Sequence, residues 1–216
     1  MRVLVTGANG FIGAEVCRRA VEDGHEVVGL ARRGRPAGAE GWMERVEWVA
    51  GDVLEPAAWR ARLAGCDAVI HCVGIIREDA RRGATFERVN GDSAITAAEE
   101  AERAGVGAFV FLSASSRPPL VGDGYLRAKR RAEARIAELA VRGVILRPGF
   151  VFGVGRLPSL PAAALIQAAT LLPFVGEAAR GSRPLSVETV ARAAVRAATD
   201  VGVRGVQDVV AIERLG

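Results

Sequence analysis

The sequence is poor in the residues that cross-link, ligate metals or stack on bases. It has one lysine (Lys129), one tyrosine (Tyr125), two histidines (His25 and His71) and three cysteines (Cys17, Cys66 and Cys72). Three cysteines with no CxxC make no disulfide framework, so buried free thiols and a reducing cytoplasm are expected. Two isolated histidines give no metal-ligand spacing, and no metal site is expected. Aromatic residues make up only 5% of the chain, and no basic stretch is interleaved with them. Nucleic acid is therefore not an expected partner, although the net charge is +4 and the pI about 9.6. Nearly all the basic residues are arginines scattered along the chain, and 25 acids offset them. Long apolar runs are also missing. Residues 157–176 carry no charge, but Pro158, Pro161 and Pro173 cut the helical part to about a dozen residues, too short to span a bilayer. A buried or cleft-lining helix is the expectation there. No leader is expected, since Met1-Arg2 runs directly into Val3-Leu4-Val5.

What is present alternates. The 216 residues are half hydrophobic and of mixed charge, which excludes disorder and favours one domain. Short apolar runs at 3–5, 26–31, 45–50, 68–72, 108–112 and 144–146 read as strands. Between them, 11–23, 56–63, 86–104 and 124–141 read as helices, and Gly24, Gly105 and Gly143 close three of them. Later segments read as helices at 159–172 and 187–199 and a last strand at 206–212. Apolar strands alternating with helices imply an α/β fold: a Rossmann-type, doubly wound parallel sheet covered on both faces. Residues 1–216 are read as a single domain. Its part 154–216 supplies only a reduced, substrate-side C-terminal region.

The first strand runs into Thr6-Gly7-Ala8-Asn9-Gly10-Phe11-Ile12-Gly13, a GxxGxxG turn that opens a helix. Gly7 permits the tight turn, Gly10 lets the backbone approach a pyrophosphate, and Gly13 allows close packing of helix on strand. With Asn9, Phe11 and Ile12 these form the expected phosphate cradle at a helix N-terminus. The second strand ends in Ala31-Arg32-Arg33 with no acid. A guanidinium suits a 2′-phosphate better than a ribose diol, so NADP(H) is expected over NAD(H). Asp52, followed by Val53 after the third strand, either accepts from an adenine amino group or caps the next helix.

Tyr125 and Lys129 are four residues apart on a predicted helix and share a face. An ammonium beside a phenol favours the phenolate, and such a tyrosine exchanges a proton with a carbonyl or alcohol oxygen near neutral pH. Together with TGANGFIG, this YxxxK resembles the short-chain dehydrogenase/reductase superfamily. Asn90 in ERVNGDS, LRPGFVFG at 146–153 and PLSVETVA at 184–191 resemble its extended and atypical, epimerase/dehydratase-like branches. The run YLRAK followed by Glu133, and LPFVG at 172–176, look like the group that includes the NADPH-binding accessory subunit of respiratory complex I.

The resemblance implies Tyr125 as proton donor, with Lys129 on the nicotinamide ribose. It also implies Cys72, Val73 and Gly74 beside the cofactor, Asn90 near it, and Pro148, Gly149 and Phe150 lining the nicotinamide side. The family's catalytic hydroxyl falls at Ala114, leaving the flanking Ser113 and Ser115 as candidates. The expected function is an NADP-dependent oxidoreductase of a small carbonyl or alcohol. A non-catalytic NADP(H)-binding sensor or assembly subunit, peripherally attached to a membrane protein, is one alternative. A nucleotide-sugar epimerase or dehydratase is another.

Overall fold

The computed structural model describes residues 1–118, 121–153 and 183–216. Strands β1 (Arg2–Thr6), β2 (Glu26–Ala31), β3 (Val46–Ala50), β4 (Ala68–His71), β5 (Ala108–Leu112) and β6 (Arg142–Leu146) pair in parallel in the order β3-β2-β1-β4-β5-β6. Two-residue strands β7 (Val151–Phe152) and β8 (Leu185–Ser186) form a separate parallel pair. Strand β9 (Gly205–Gln207) adds to β6 as the seventh strand of the main sheet. The helices are α1 (Phe11–Glu22), α2 (Ser93–Arg103), α3 (Gly124–Glu138), α4 (Val187–Thr199) and α5 (Val209–Leu215).

Both faces of the sheet are covered, which is why its strands are apolar throughout. Successive side chains point to opposite faces. Val3, Val5, Ile70, Val110, Leu112, Val144 and Leu146 pack with α1 and α4 through Val16, Cys17, Ala20, Val190 and Ala194. Leu4, Val28, Leu30, Val69, Phe109, Phe111 and Ile145 pack on the other face with α2 and α3. There the helices offer mostly alanine (Ala94, Ala97, Ala98, Ala101, Ala132), so they sit close and leave the volume to Phe109, Phe111 and Trp59.

The doubly wound parallel sheet is as expected from the sequence, and four local expectations are corrected. Residues 56–63 form two 3-10 turns, Pro56–Ala58 and Arg60–Leu63, separated by Trp59, whose buried indole donates to Val53 O at 3.3 Å. Residues 86–104 are not one regular α-helix: Glu87–Asp92 is a π-turn and α2 starts at Ser93. Helix α3 stops at Glu138, and Arg142 and Gly143 already belong to β6. Of 206–212, only 206 and 207 are strand; Asp208 accepts from Ala211 N at 2.8 Å and so caps α5. The expected helix at 159–172 and the uncharged stretch 157–176 lie outside the described residues. Among the described residues, no helix is long and apolar enough to cross a membrane.

Candidate functional site

The glycine turn is held by two close approaches. Gly7 has φ +70°, and a Cβ there would stand 3.1 Å from the backbone at Cys72 and Val73. A Cβ at Gly13 would stand 2.2 Å from Gly7 O, inside any allowed contact, so the helix seats on the turn only as glycine. Gly10 donates to Gly7 O at 2.8 Å and occupies the N-cap of α1. No side chain caps this helix. The amides of Ile12 and Gly13, in its first turn, have no intrahelical acceptor and suit an anion. The Asn9 side chain is committed elsewhere: its amide donates to Gly34 O at 2.7 Å and pins the loop after β2 to the turn. In that loop Arg32 and Arg33 are exposed, and neither guanidinium has a partner among the described residues. Asp52 Oδ1 accepts from Leu54 N at 3.0 Å, a local turn bond, while Val53 is buried.

Past β4 the chain runs through Cys72, Val73 and Gly74. Burial pushes the Cys72 thiol up to about 12, partly offset by the Lys129 charge, so it stays protonated. Asn90, fully buried in the π-turn, fixes the next residue with both ends of its amide. Ile75 N donates to Asn90 Oδ1 at 2.7 Å, and Asn90 Nδ2 donates to Ile75 O at 2.9 Å. Gly74 is thereby set between Asn90 and Lys129: a Cβ there would lie 3.3 Å from Asn90 Oδ1 and 3.9 Å from Lys129 Nζ.

Tyr125 and Lys129 are both buried on the inner face of α3. The Tyr125 ring meets Phe86 edge-on, 5.7 Å between centroids, within a small cluster with Ala114, Val121 and Ala128. Lys129 Nζ donates to Leu112 O at 2.7 Å and stands 5.7 Å from the Tyr125 ring centre and 4.9 Å from that of Phe111. Burial pulls its ammonium down to about 8; Glu133 opposes this and Arg130 adds to it. At neutral pH the lysine is mostly charged and favours ionisation of a nearby phenol.

The two candidate serines differ. Ser113 Oγ donates to the buried carboxylate of Glu133, which also takes Arg130 and Arg147. Ser115 Oγ is buried with no hydrogen-bond partner among the described residues. Its backbone N–H donates to Pro148 O at 2.9 Å, which joins the loop after β5 to the buried Pro148 and half-buried Gly149 and Phe150. An unpartnered buried hydroxyl marks a place where a further polar atom belongs.

The C-terminal ends of the parallel strands β1, β4, β5 and β6 lie at one end of the sheet, with the glycine turn, Gly74 and Ser115 in the loops that follow them, Asn90 in the π-turn and Tyr125 and Lys129 on α3. The first amides of α1 fit the phosphates of a dinucleotide. A groove of about 530 Å³ between α3, β6 and β9 is not this site, since neither Tyr125 nor Lys129 lines it. Sequence reasoning missed His71, Ser93 and the Glu133 cluster. Only the rarity of histidine, and its place at the end of an apolar strand, could have drawn attention to His71.

Comparison with known proteins adds to this. A model of the NAD dependent epimerase/dehydratase family matches residues 3–201. The chain is 34% identical over 188 residues to an uncharacterized chloroplastic protein of Arabidopsis thaliana, covering 85% of this chain and 62% of the relative. It is 32% identical over 181 residues to a ceramide reductase of Caulobacter vibrioides, covering 82% and 55%. Both relatives are longer, and the chain spans less than two thirds of each. The solved structure of a UDP-glucuronic acid 4-epimerase from Bacillus cereus in complex with NAD superposes with a TM-score of 0.70. It shares 21% identity and covers 95% of this chain and 77% of that one, a likeness of fold.

Proposed function

The chain belongs to the NAD dependent epimerase/dehydratase family, and from that membership we propose that it is an NADP-dependent reductase of a small-molecule aldehyde or ketone. The observation that carries this reading is the buried Tyr125–Lys129 pair beside Gly74. NADPH, when bound, supplies a hydride to the carbonyl carbon.

The chain's own residues do the rest. The first amides of α1 receive the pyrophosphate, and Arg32 and Arg33 receive the 2′-phosphate. Asn90 holds the strand-end loop against the cofactor through Ile75. Lys129 keeps its ammonium over the Tyr125 ring and lowers the cost of phenolate. Tyr125 passes its proton to the carbonyl oxygen as the C–H bond forms, so hydride plus proton gives the alcohol. The Ser115 hydroxyl supplies a second donor to that oxygen, the role left open by Ala114.

Carbonyl reduction is favoured by the reductase among the relatives, and the preference for NADP by Arg32 and Arg33, neither of which is paired among the described residues. The nucleotide-sugar reading rests on fold alone. A non-catalytic NADP(H)-binding subunit is favoured by Ala114 and disfavoured by the unpartnered Ser115 hydroxyl. A cytoplasmic setting is part of the proposal and rests on the three free thiols.

The test is NADPH oxidation, followed by absorbance, against a panel of aldehydes, ketones and quinones. Turnover is expected on at least one member, and Tyr125→Phe is expected to lower it on the order of 10²-fold or more while NADPH still binds. Bound NADPH with no turnover on any member would replace this reading with the binding-subunit one. Tighter binding of NADH than of NADPH would remove the NADP preference.

A further inference from the structure

A line of uncharged hydrogen bonds runs beneath the dinucleotide cleft. His71, fully buried at the end of β4, is its centre. Its ring lies 6.1 Å from that of Phe109 and 5.8 Å from that of Phe111, centre to centre. Thr6, its register partner on β1, places Oγ1 2.9 Å from Nδ1, and Ser93 places Oγ 3.2 Å from Nε2. Ser93 Oγ donates to Val89 O at 2.6 Å. A hydroxyl has one proton, so Ser93 must accept from the ring. Nε2 therefore carries the hydrogen, and Nδ1 accepts from Thr6. One neutral tautomer satisfies all three bonds.

The π-turn explains why Ser93 is needed. In an α-helix, Ser93 N–H would bond Val89 O, four residues back. Here it reaches five back, to Arg88 O, and Val89 O loses its partner. The Ser93 hydroxyl replaces its own amide on that carbonyl. The displaced register is what turns Asn90, the next residue, onto Ile75. At the other end of the line, Thr6 is the residue before Gly7.

We infer that His71 is a positioning residue: through Thr6 and Ser93 it fixes the separation between the glycine turn and the Asn90-held loop, so that both walls of the dinucleotide cleft stand assembled before the cofactor arrives. The inference rests on the dinucleotide reading of the site and assigns His71 no contact with the cofactor. A preassembled cleft binds more tightly because ordering is not charged against association.

The experiment is NADPH titration of the full chain, followed by cofactor fluorescence, on wild type, His71→Phe, His71→Gln and Thr6→Val. His71→Phe removes both ring hydrogen bonds and is expected to raise the Kd about tenfold or more. His71→Gln keeps a donor and an acceptor and should fall between the two. Thr6→Val removes one donor with almost no change in shape, so it tests the idea even if His71→Phe does not fold. It should weaken NADPH in the same direction and shift the amide resonances of Ile75 and Asn90, which are hydrogen-bonded to each other through the Asn90 side chain and not to Thr6. A lowered Tm with an unchanged Kd in folded His71→Phe or Thr6→Val would overturn the inference and make the ring a core filler. Wild type that binds neither NADPH nor NADH would instead overturn the dinucleotide reading itself.

Discussion

Two buried polar centres flank Lys129, one at the end of β4 and one at the ends of β5 and β6. The first is neutral: Thr6, His71 and Ser93 share protons in a fixed order, and burial keeps the imidazole uncharged, its pKa down at about 3 with the Lys129 charge adding to the fall. The second is ionic: Glu133 is buried at 6% exposure, while Arg130 and Arg147 keep 35% and 32% of their side chains in solvent. The neutral centre joins backbone segments and depends on direction. The ionic centre ties α3 to the loops after β5 and β6, and its charges reach Lys129. The buried Lys129 ammonium thus has an ionic cluster on one side and a neutral hydrogen-bonded line on the other.

Removing Glu133 should have the largest effect. Glu133→Leu leaves two guanidiniums without their shared carboxylate and Ser113 without its acceptor. We expect a loss of about 2–3 kcal/mol in urea unfolding, below the range for fully buried pairs because both arginines can rehydrate. A loss under about 1 kcal/mol would class the cluster with surface ion pairs and dissolve the contrast.

Acid should discriminate the two centres next. The His71 pKa is depressed in the folded state, so below about 6.5 the unfolded chain takes up a proton that the folded chain refuses. Stability should therefore fall as pH falls from about 6.5 towards 3, by at most about 1.4 kcal/mol per pH unit. His25, lowered by its own burial, acts in the same direction, so the quantity to read is the difference between wild type and His71→Phe. Glu133 enters only lower. Burial raises its carboxyl, but bonds from Arg147 and Ser113 and the charges of Arg130 and Arg147 outweigh this and hold it below its ordinary 4.5. Urea midpoints at pH 7, 6 and 5 that fall equally in wild type and His71→Phe would deny the imidazole its part.

The smallest effects should come from the two serines and should point in opposite directions. Ser113→Ala is expected to cost about 1 kcal/mol of stability and leave turnover nearly unchanged. Ser115→Ala is expected to leave stability within about 0.5 kcal/mol and lower turnover on the order of tenfold or more. If Ser113→Ala is the one that lowers turnover, the ionic centre reaches the reacting oxygen and the serine roles exchange.

The strands were legible because short, continuously apolar runs alternate with helical segments, and the glycine turn because its GxxGxxG spacing follows the first strand and Gly13 meets Gly7 only six residues away; the approach of Gly7 to Cys72 and Val73 was not legible. Tyr125 and Lys129 were legible because i and i+4 share a helical face whatever lies around them. The π-turn was not, because ERVNGDS carries the same helical pattern with or without the shifted register. The shift shows only in three dimensions, where Ser93 meets His71, 22 residues away in the chain. The difference between Ser113 and Ser115 was equally hidden, since it depends on where Glu133 lies across the α3–β5 contact. Helix α5 was missed although its cap was visible: Asp208 precedes Val209 and Ile212, but the apolar run from 206 reads equally as a strand.

The short pair β7–β8 has an architectural consequence. Val151 lies beside Leu185 and Phe152 beside Ser186 in parallel register, so the chain departs at Gly153 and is back at Arg183 within a few residues of the same point. In a parallel pair, departure and return lie at opposite ends of the two strands, so the pair holds both ends of the frame without a hairpin. Gly153 itself lies against Val187 of α4 and Phe11 of α1, so the point of departure is seated on the same two helices that cover one face of the main sheet.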